Sequence, residues 1–180
     1  MRNKAYSILL FAGILSTLAM GVANGEPATI YVPDNYSTIQ AAVNAANPGD
    51  TIIVRDGTYT ENVDVTKRLT IKSENGAEVT IVQAANPDDN VFAVNVDYVS
   101  ISGFTAKGAT SASGIRLYYA HYCNISNNKY SNNYYGILLF YSSNNNIIGN
   151  DVINNYLEGI YLKYSSNNII SGDVPFIVEG

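Results

Sequence analysis

A repeat with a period of about 22 residues limits what this chain can become more than anything else in it. Read from each glycine, it gives Gly114-Ile115-Arg116-Leu117, Gly136-Ile137-Leu138-Leu139 and Gly159-Ile160-Tyr161-Leu162, with a further glycine at Gly180. A fixed period of this length marks a solenoid, in which one repeat cannot bury its apolar face until a neighbour stacks on it. Within each repeat the first and third residues after the glycine are Ile or Leu, the period-two pattern of a short strand with one buried face. Tyr119, Tyr141 and Tyr164 follow at the fifth position, and Ala120, Ser142 and Ser165 at the sixth, so the chain turns there.

Ile125, Ile147 and Ile170 supply a second inward point after that turn. Asn128, Asn150 and Asp173 mark a corner, and Tyr130 and Val152, continued by Phe176, mark a third strand. Asn at this corner is expected to take left-handed backbone angles and to hydrogen-bond its equivalent about 4.8 Å away along the axis. Three strands per turn predict an all-β chain: a right-handed, three-faced parallel β-helix of about 22 residues per turn. Helical repeats are disfavoured because Asn, Ser, Gly and Tyr fill these segments. The L-x-x-L-x-L core of a leucine-rich repeat is absent.

The pattern G-I-x-L-x-x-S-S-N-N-x-I-I-x-N, clearest over Gly136–Asn150 and Gly159–Gly172, resembles the β-helix repeats of NosD-like proteins and related archaeal and bacterial surface proteins. The resemblance spans about Asp50 to Gly180 and speaks to fold more than to activity.

The chain begins with the marks of a secretory signal over residues 1–25: Arg2 and Lys4, an apolar run from Ala5 to about Met20, then Gly21, Ala23 and Gly25. The expected location is therefore secreted or cell-surface, with no membrane segment beyond this signal. Without it, eight basic residues face fifteen acidic ones, a net charge of −7 (8 − 15), which disfavours nucleic acid as a partner. Cys123 is the single cysteine, so no intrachain disulfide can form. Residues 26–49 read as an N-terminal strand, Thr29 to Val32, and a capping helix from Ser37 to Ala46. Ser37 and Gln40 have capping-box spacing, and Pro48-Gly49 ends the helix.

Residues 50–180 read as the β-helix. Its entry, T-I-Q-A-A-V-x-A-A-x-P-G-D-T-I-x-V-x-x-G-T-Y-x-E-N-V, resembles the entry of pectin methylesterases and other pectin-lyase-like proteins; that resemblance implies a structural role for Glu61. Leu69, Val91 and Ile115 are similarly spaced and are expected to carry the period back through the less regular half. Lys107 to Ser113 is expected to protrude as a loop. Phe176 to Gly180 ends in an apolar strand with no cap after it, which predicts chain continuation or self-association at an open C-terminal edge.

The esterase-like entry raises an enzyme reading, but the Asp pairs that such families carry in Q-D-T and D-F-I-F-G contexts are absent. Asp151 and Asp173 are offset by one position and read as a solvated corner. The NosD resemblance implies copper, which wants several His, Cys or Met ligands. Here His121 and Cys123, two apart on a strand, are the weak candidates, and neither a cofactor nor a metal is expected. The fifteen tyrosines remain. Those at the fifth position are expected to stack. Tyr118 with Phe140, and Tyr161 with Arg116, are expected to face solvent and, with Lys163, to form a ligand-binding face for a polysaccharide or surface glycan. The reading is a carbohydrate-recognising or structural surface module, more a binder than an enzyme. The alternatives are a polysaccharide lyase, esterase or epimerase, or a periplasmic copper-delivery accessory.

Overall fold

The computed structural model describes residues 26–172. Residues 1–25, expected above to be a secretory signal, and Asp173 to Gly180, with the edge expected there, lie outside the described residues. The chain starts with β1 (Thr29–Val32) and the short helix α1 (Ile39–Ala45), and then winds. The first turn is β2 (Thr51–Val54), β3 (Gly57–Thr60) and β4 (Val63–Val65), and the second is β5 (Thr70–Ser73), β6 (Thr80–Gln83) and β7 (Phe92–Val94). A third comprises β8 (Ser100–Ser102), β9 (Thr105–Lys107) and β10 (Ser113–Tyr118); a fourth, β11 (Asn124–Ser126), β12 (Lys129–Ser131) and β13 (Tyr135–Phe140). The last complete turn is β14 (Asn146–Ile148), β15 (Asp151–Ile153) and β16 (Ile160–Lys163), followed by β17 (Ile169–Ser171).

Every strand pairs in parallel with its equivalent one turn away, giving three sheets: β1-β2-β5-β8-β11-β14-β17, β3-β6-β9-β12-β15 and β4-β7-β10-β13-β16. The result is a parallel β-solenoid of about six turns with about 23 residues per turn. Inward columns form the core. Ile52, Ile71, Ile101, Ile125 and Ile147 line the first sheet, Val63, Phe92, Ile115, Ile137 and Ile160 the third, and Val82, Ala106, Tyr130 and Val152 the second. The register corrects one expectation. Ile115 pairs with Phe92, which pairs with Val63, so Val91 and Leu69 are not its partners. Successive strands of the first sheet start at Thr51, Thr70, Ser100, Asn124, Asn146 and Ile169, so their spacing is uneven at first and nearly constant from Asn124 onward. Registers set by hydrogen bonds tolerate loops of any length between strands; a count along the sequence does not.

The recurring glycine serves space. None of Gly114, Gly136 and Gly159 has a positive φ. A Cβ on Gly114 would lie 2.7 Å from Tyr130 Cδ1 and 2.8 Å from the Gly136 carbonyl oxygen, and one on Gly136 would lie 2.5 Å from the Gly159 oxygen and run into Val152. The second and third sheets meet there so closely that only hydrogen fits.

Left-handed residues make the corners, but at positions one earlier than expected. Asn127, Asn132, Asn144, Asn154 and Asn167 have φ between 54 and 61°, while Asn128, Asn133, Asn145, Asn155 and Asn168, which follow them, turn inward. Asn150 Oδ1 accepts from the Asn128 backbone N–H at 3.1 Å and from Asn128 Nδ2 at 3.2 Å, and Asn150 Nδ2 donates to the Ile125 carbonyl at 2.9 Å. Asn133 and Asn145 make the same double contact at the other corners. These amides satisfy backbone groups that the bend removes from the sheets.

α1 lies against β1, β2 and β4 at the N-terminal end, with Ile39, Ala42 and Val43 buried. Its N-cap is Thr38, whose hydroxyl accepts from Ala41 N–H at 3.1 Å; Ser37 and Gln40 form no capping box. The first amides are instead held by Glu61, whose carboxylate accepts from Ile39 and Gln40 N–H at 2.9 and 2.8 Å. Gln40 bonds the exposed backbone of β4 at Asp64. At the other end Lys67 Nζ donates to the carbonyls of Val43, Asn44 and Ala46. The β-helix thus supplies both the anion and the cation that the helix dipole favours.

The segment expected to protrude does not. Lys107 belongs to β9, Ser113 to β10, and Ala109 between them is fully buried. Ser111 N–H donates to the Pro87 carbonyl, and the Ala109 and Ala112 carbonyls both accept from Tyr134 N–H. Small residues let this stretch close onto the neighbouring turns. A longer excursion, residues 84–91, carries Asn86, Asp89 and Asn90, whose carbonyls are all held by Asn62 Nδ2.

Candidate functional site: an aromatic face along the helix axis

The fifth-position tyrosines are placed by their own corner. Tyr119, Tyr141 and Tyr164 have φ of 48, 50 and 53°, an uncommon region for a bulky residue. The residue after each turns inward to hold the bend: Ser142 Oγ accepts from Ala120 N–H at 3.1 Å and donates to the Phe140 carbonyl, and Ser165 repeats this one turn on. The left-handed angle throws the tyrosine outward, and the strand spacing stacks it. Ring centroids in this column are 4.8 and 4.7 Å apart with interplanar angles of 11 and 16°. The rings remain 54, 37 and 61% exposed.

A second aromatic row lies beside the column on the outer face of β10, β13 and β16. Tyr118 pairs in register with Phe140, and Phe140 with Lys163. The Tyr118 and Phe140 rings are 5.9 Å apart at 20°, whereas each meets its neighbouring corner tyrosine edge-on, at 79 and 84°. Ring planes in the two rows therefore stand nearly at right angles. Arg116 lies 5.4 Å from the Tyr118 ring centroid, and Lys163 lies 5.9 and 5.5 Å from Phe140 and Tyr164, within cation–π range. Tyr161 sits further across the face, stacked on Tyr135 at 5.5 Å. Leu138 separates it from Arg116 in the column they share, so these two are on one face without touching.

The structure gathers Arg116, Tyr118, Phe140 and Lys163 into one cluster, with Tyr161 at its margin. The sequence pattern assigns the corner tyrosines to stacking alone, although they are the more exposed row. A repeated Tyr-Ser or Tyr-Ala after an alternating strand is the available signal. Partial desolvation and the neighbouring tyrosines push the Tyr119 hydroxyl above its ordinary range, so it is a neutral phenol that can both donate and accept. Tyr98 and Tyr122 stack at 5.2 Å further along the same corner, between the third and first sheets.

His121 and Cys123 lie in the corner between β10 and β11 and are not on a strand. His121 Nδ1 accepts from Ser143 N–H at 3.0 Å. Cys123 fills the inward position that Asn145 and Asn168 hold in later turns, and burial pushes its thiol up to about 11. Among the described residues no three His, Cys, Asp or Glu side chains converge. A thiol kept protonated in the core and an imidazole engaged by a backbone amide do not fit copper. Asp151 is on β15 and not at a corner, 3.9 Å from Lys129, which also lies 3.8 Å from Glu78. Arg55 bridges Asp34 and Glu74, and holds the Asp34 carboxyl below its usual range. Both groups are open to solvent and act as surface ion pairs.

The sequence model of the family described as "Periplasmic copper-binding protein (NosD)" matches residues 43–175. The chain belongs to the NosD family. A cell surface glycoprotein of Methanothermus fervidus is 30% identical to this NosD-family chain over 131 residues, 72% of the chain but 21% of the glycoprotein. The chain therefore spans about a fifth of that relative's length. Among solved structures, an alginate lyase from Paenibacillus sp. str. FPU-7 superimposes with a TM-score of 0.68 at 23% identity, over 81% of this chain and 57% of the lyase. Pectate lyase Pel9A gives 0.66 at 20%, over 80% of this chain and 46% of that enzyme. These likenesses show the pectin-lyase-like β-helix fold. No helix among the described residues is long and apolar enough to cross a membrane.

Proposed function

We propose that this NosD-family chain is an extracytoplasmic β-helix module that binds a polysaccharide or surface glycan along the face built by Tyr118, Phe140 and the Tyr119–Tyr141–Tyr164 column. The observation that carries the reading is a stacked column of exposed tyrosines running along the helix axis, with exposed Tyr118 and half-buried Phe140 beside it and Arg116 and Lys163 against these rings. Buried tyrosines can stabilise a stack by themselves; a column this exposed presents rings and hydroxyls to a ligand that is itself a linear repeat. The regular turn spacing matches a polymer better than a compact molecule. The cell surface glycoprotein relative supports an extracytoplasmic setting.

A glycan-array screen of the protein, repeated with Tyr118→Ala and Tyr141→Ser, tests this. Binding to one class of glycan, weakened about tenfold or more by either substitution, is the expected result. Retained binding in both variants would move the ligand off this face, and no binding to any glycan would leave the module a structural spacer.

A further inference from the structure

We infer that the ligand of this face is an anionic polysaccharide, carboxylated or sulfated, lying along the helix axis with its negative groups at Arg116 and Lys163. The inference rests on the glycan-binding reading above and adds to it the chemical class of the glycan. Its basis is how the chain distributes its cations. Arg55 is neutralised by Asp34 and Glu74, Lys129 lies between Glu78 and Asp151, and Lys67 caps three helix carbonyls. Of the remaining cations among the described residues, Arg68, Lys72, Lys107, Arg116 and Lys163, none forms an ion pair, and Arg116 and Lys163 are the two that sit on aromatic rings.

On a chain with fifteen acidic and ten basic residues, two cations kept without carboxylates on one exposed face form a local positive field in a negative surround. The carboxylate that shares the Arg116 column, Asp64, is two strands away with Ala93 between. Arg116 Nε is buried and lacks a hydrogen-bond partner among the described residues, a donor that a bound carboxylate or sulfate could satisfy after a small rotation. The side chains project from β10 and β16, two strands apart, so the charges are about 10 Å apart along the axis. A linear polymer with recurring anionic groups can meet both while its rings lie over Tyr118 and Phe140. A neutral glycan could offer a hydroxyl oxygen to Nε but would leave both cations without a counter-charge.

Binding of polygalacturonate, its highly methyl-esterified form and dextran tests charge on a constant backbone against a neutral glucan. The measurements are made at about 0.01 M and about 0.15 M salt, where the screening length falls from about 30 Å to about 8 Å. Polygalacturonate is expected to bind about tenfold tighter than the ester and to weaken with salt. Arg116→Gln and Lys163→Gln should each weaken it about tenfold, Arg116→Lys less, and Lys72→Gln on the first sheet not at all. Equal binding of acid and ester, or of dextran, overturns the charge inference and leaves glycan recognition standing. Acid-selective binding that survives both Gln variants overturns the placement at these cations. No binding to any of the three, together with a blank glycan array, overturns both readings.

Discussion

The first two turns and the last two reach the same cross-section by different means. Between Thr51 and Ser100 the strand spacing is uneven, because β5 follows β2 closely while β8 follows β5 only after a long excursion, and each irregularity has its own fastening. Asn62 gathers the carbonyls of Asn86, Asp89 and Asn90, Glu61 and Lys67 hold the two ends of α1, and Asp50 accepts from the amides of Ala28 and Asn47. From Asn124 onward the spacing is nearly constant, and the fastenings are ladders: inward Asn at all three corners, with inward Ser and outward stacked Tyr added at one of them. Single-use contacts let the entry turns vary in length. Shared ladders make each late turn depend on its neighbours, and the same regularity turns isolated tyrosines into a continuous face.

Gly136→Val puts this contrast to its most severe test. Its side chain would enter the space of Val152 and the Gly159 oxygen, and overpacking of this kind costs about 3 kcal/mol or more. Gly76→Ala, in the irregular half, meets nothing within 4 Å and costs only its left-handed φ, about 1 to 2 kcal/mol. Urea unfolding midpoints would rank the two, and equal losses would erase the distinction.

Asn150→Ala is expected to come next, at about 2 to 3 kcal/mol, because it strands the buried Asn128 N–H and Ile125 carbonyl together. Hydrogen exchange should show the loss at both neighbouring turns. A loss confined to one would mean the ladder does not couple them. In the entry half, Glu61→Gln should cost about 1 to 2 kcal/mol by replacing a charged carboxylate that accepts from two α1 amides with one neutral acceptor, with faster exchange at Ile39 and Gln40 and little change beyond Asn124.

The smallest effect is one of pH. The buried Cys123 thiol is raised from 9.0 to about 11, so between these values the folded chain holds a proton that the unfolded chain releases. Stability from this group is complete below about pH 9 and falls as pH rises toward 11, by about 1 kcal/mol at pH 10. Thermal midpoints of the protein and Cys123→Ala, compared between pH 8 and 10, should converge as pH rises. Parallel curves would show that the thiol titrates alike in both states.

The late turns are legible because their residues repeat: Ile115, Ile137 and Ile160 share a register in the structure as they do in the sequence. The entry turns are not, since a turn lengthened by an excursion hides its register, and counting along the chain points to Val91 where the sheet pairs Phe92 with Ile115. Lys107 to Ser113 reads as a loop because small polar residues mark turns, but the same smallness lets Ala109 sink into the core. Of the aromatic face, Tyr118, Phe140 and Tyr161 follow from strand alternation. The exposure of Tyr119, Tyr141 and Tyr164 depends on a left-handed corner whose sign no hydrophobic pattern records.

Composition and order along the chain suffice for the kind of object: a fixed short period, alternating Ile and Leu, and Asn-rich corners admit little besides a stacked coil of short strands. Which residues meet is a matter of three-dimensional pairing. Parallel strands place Arg116, Tyr118, Phe140 and Lys163 in one patch although they span three turns, because neighbours in a solenoid are one turn apart in the chain and one strand spacing apart in space. The same packing explains why each repeat begins with glycine, since the requirement comes from Tyr130 and Val152 on an adjacent sheet.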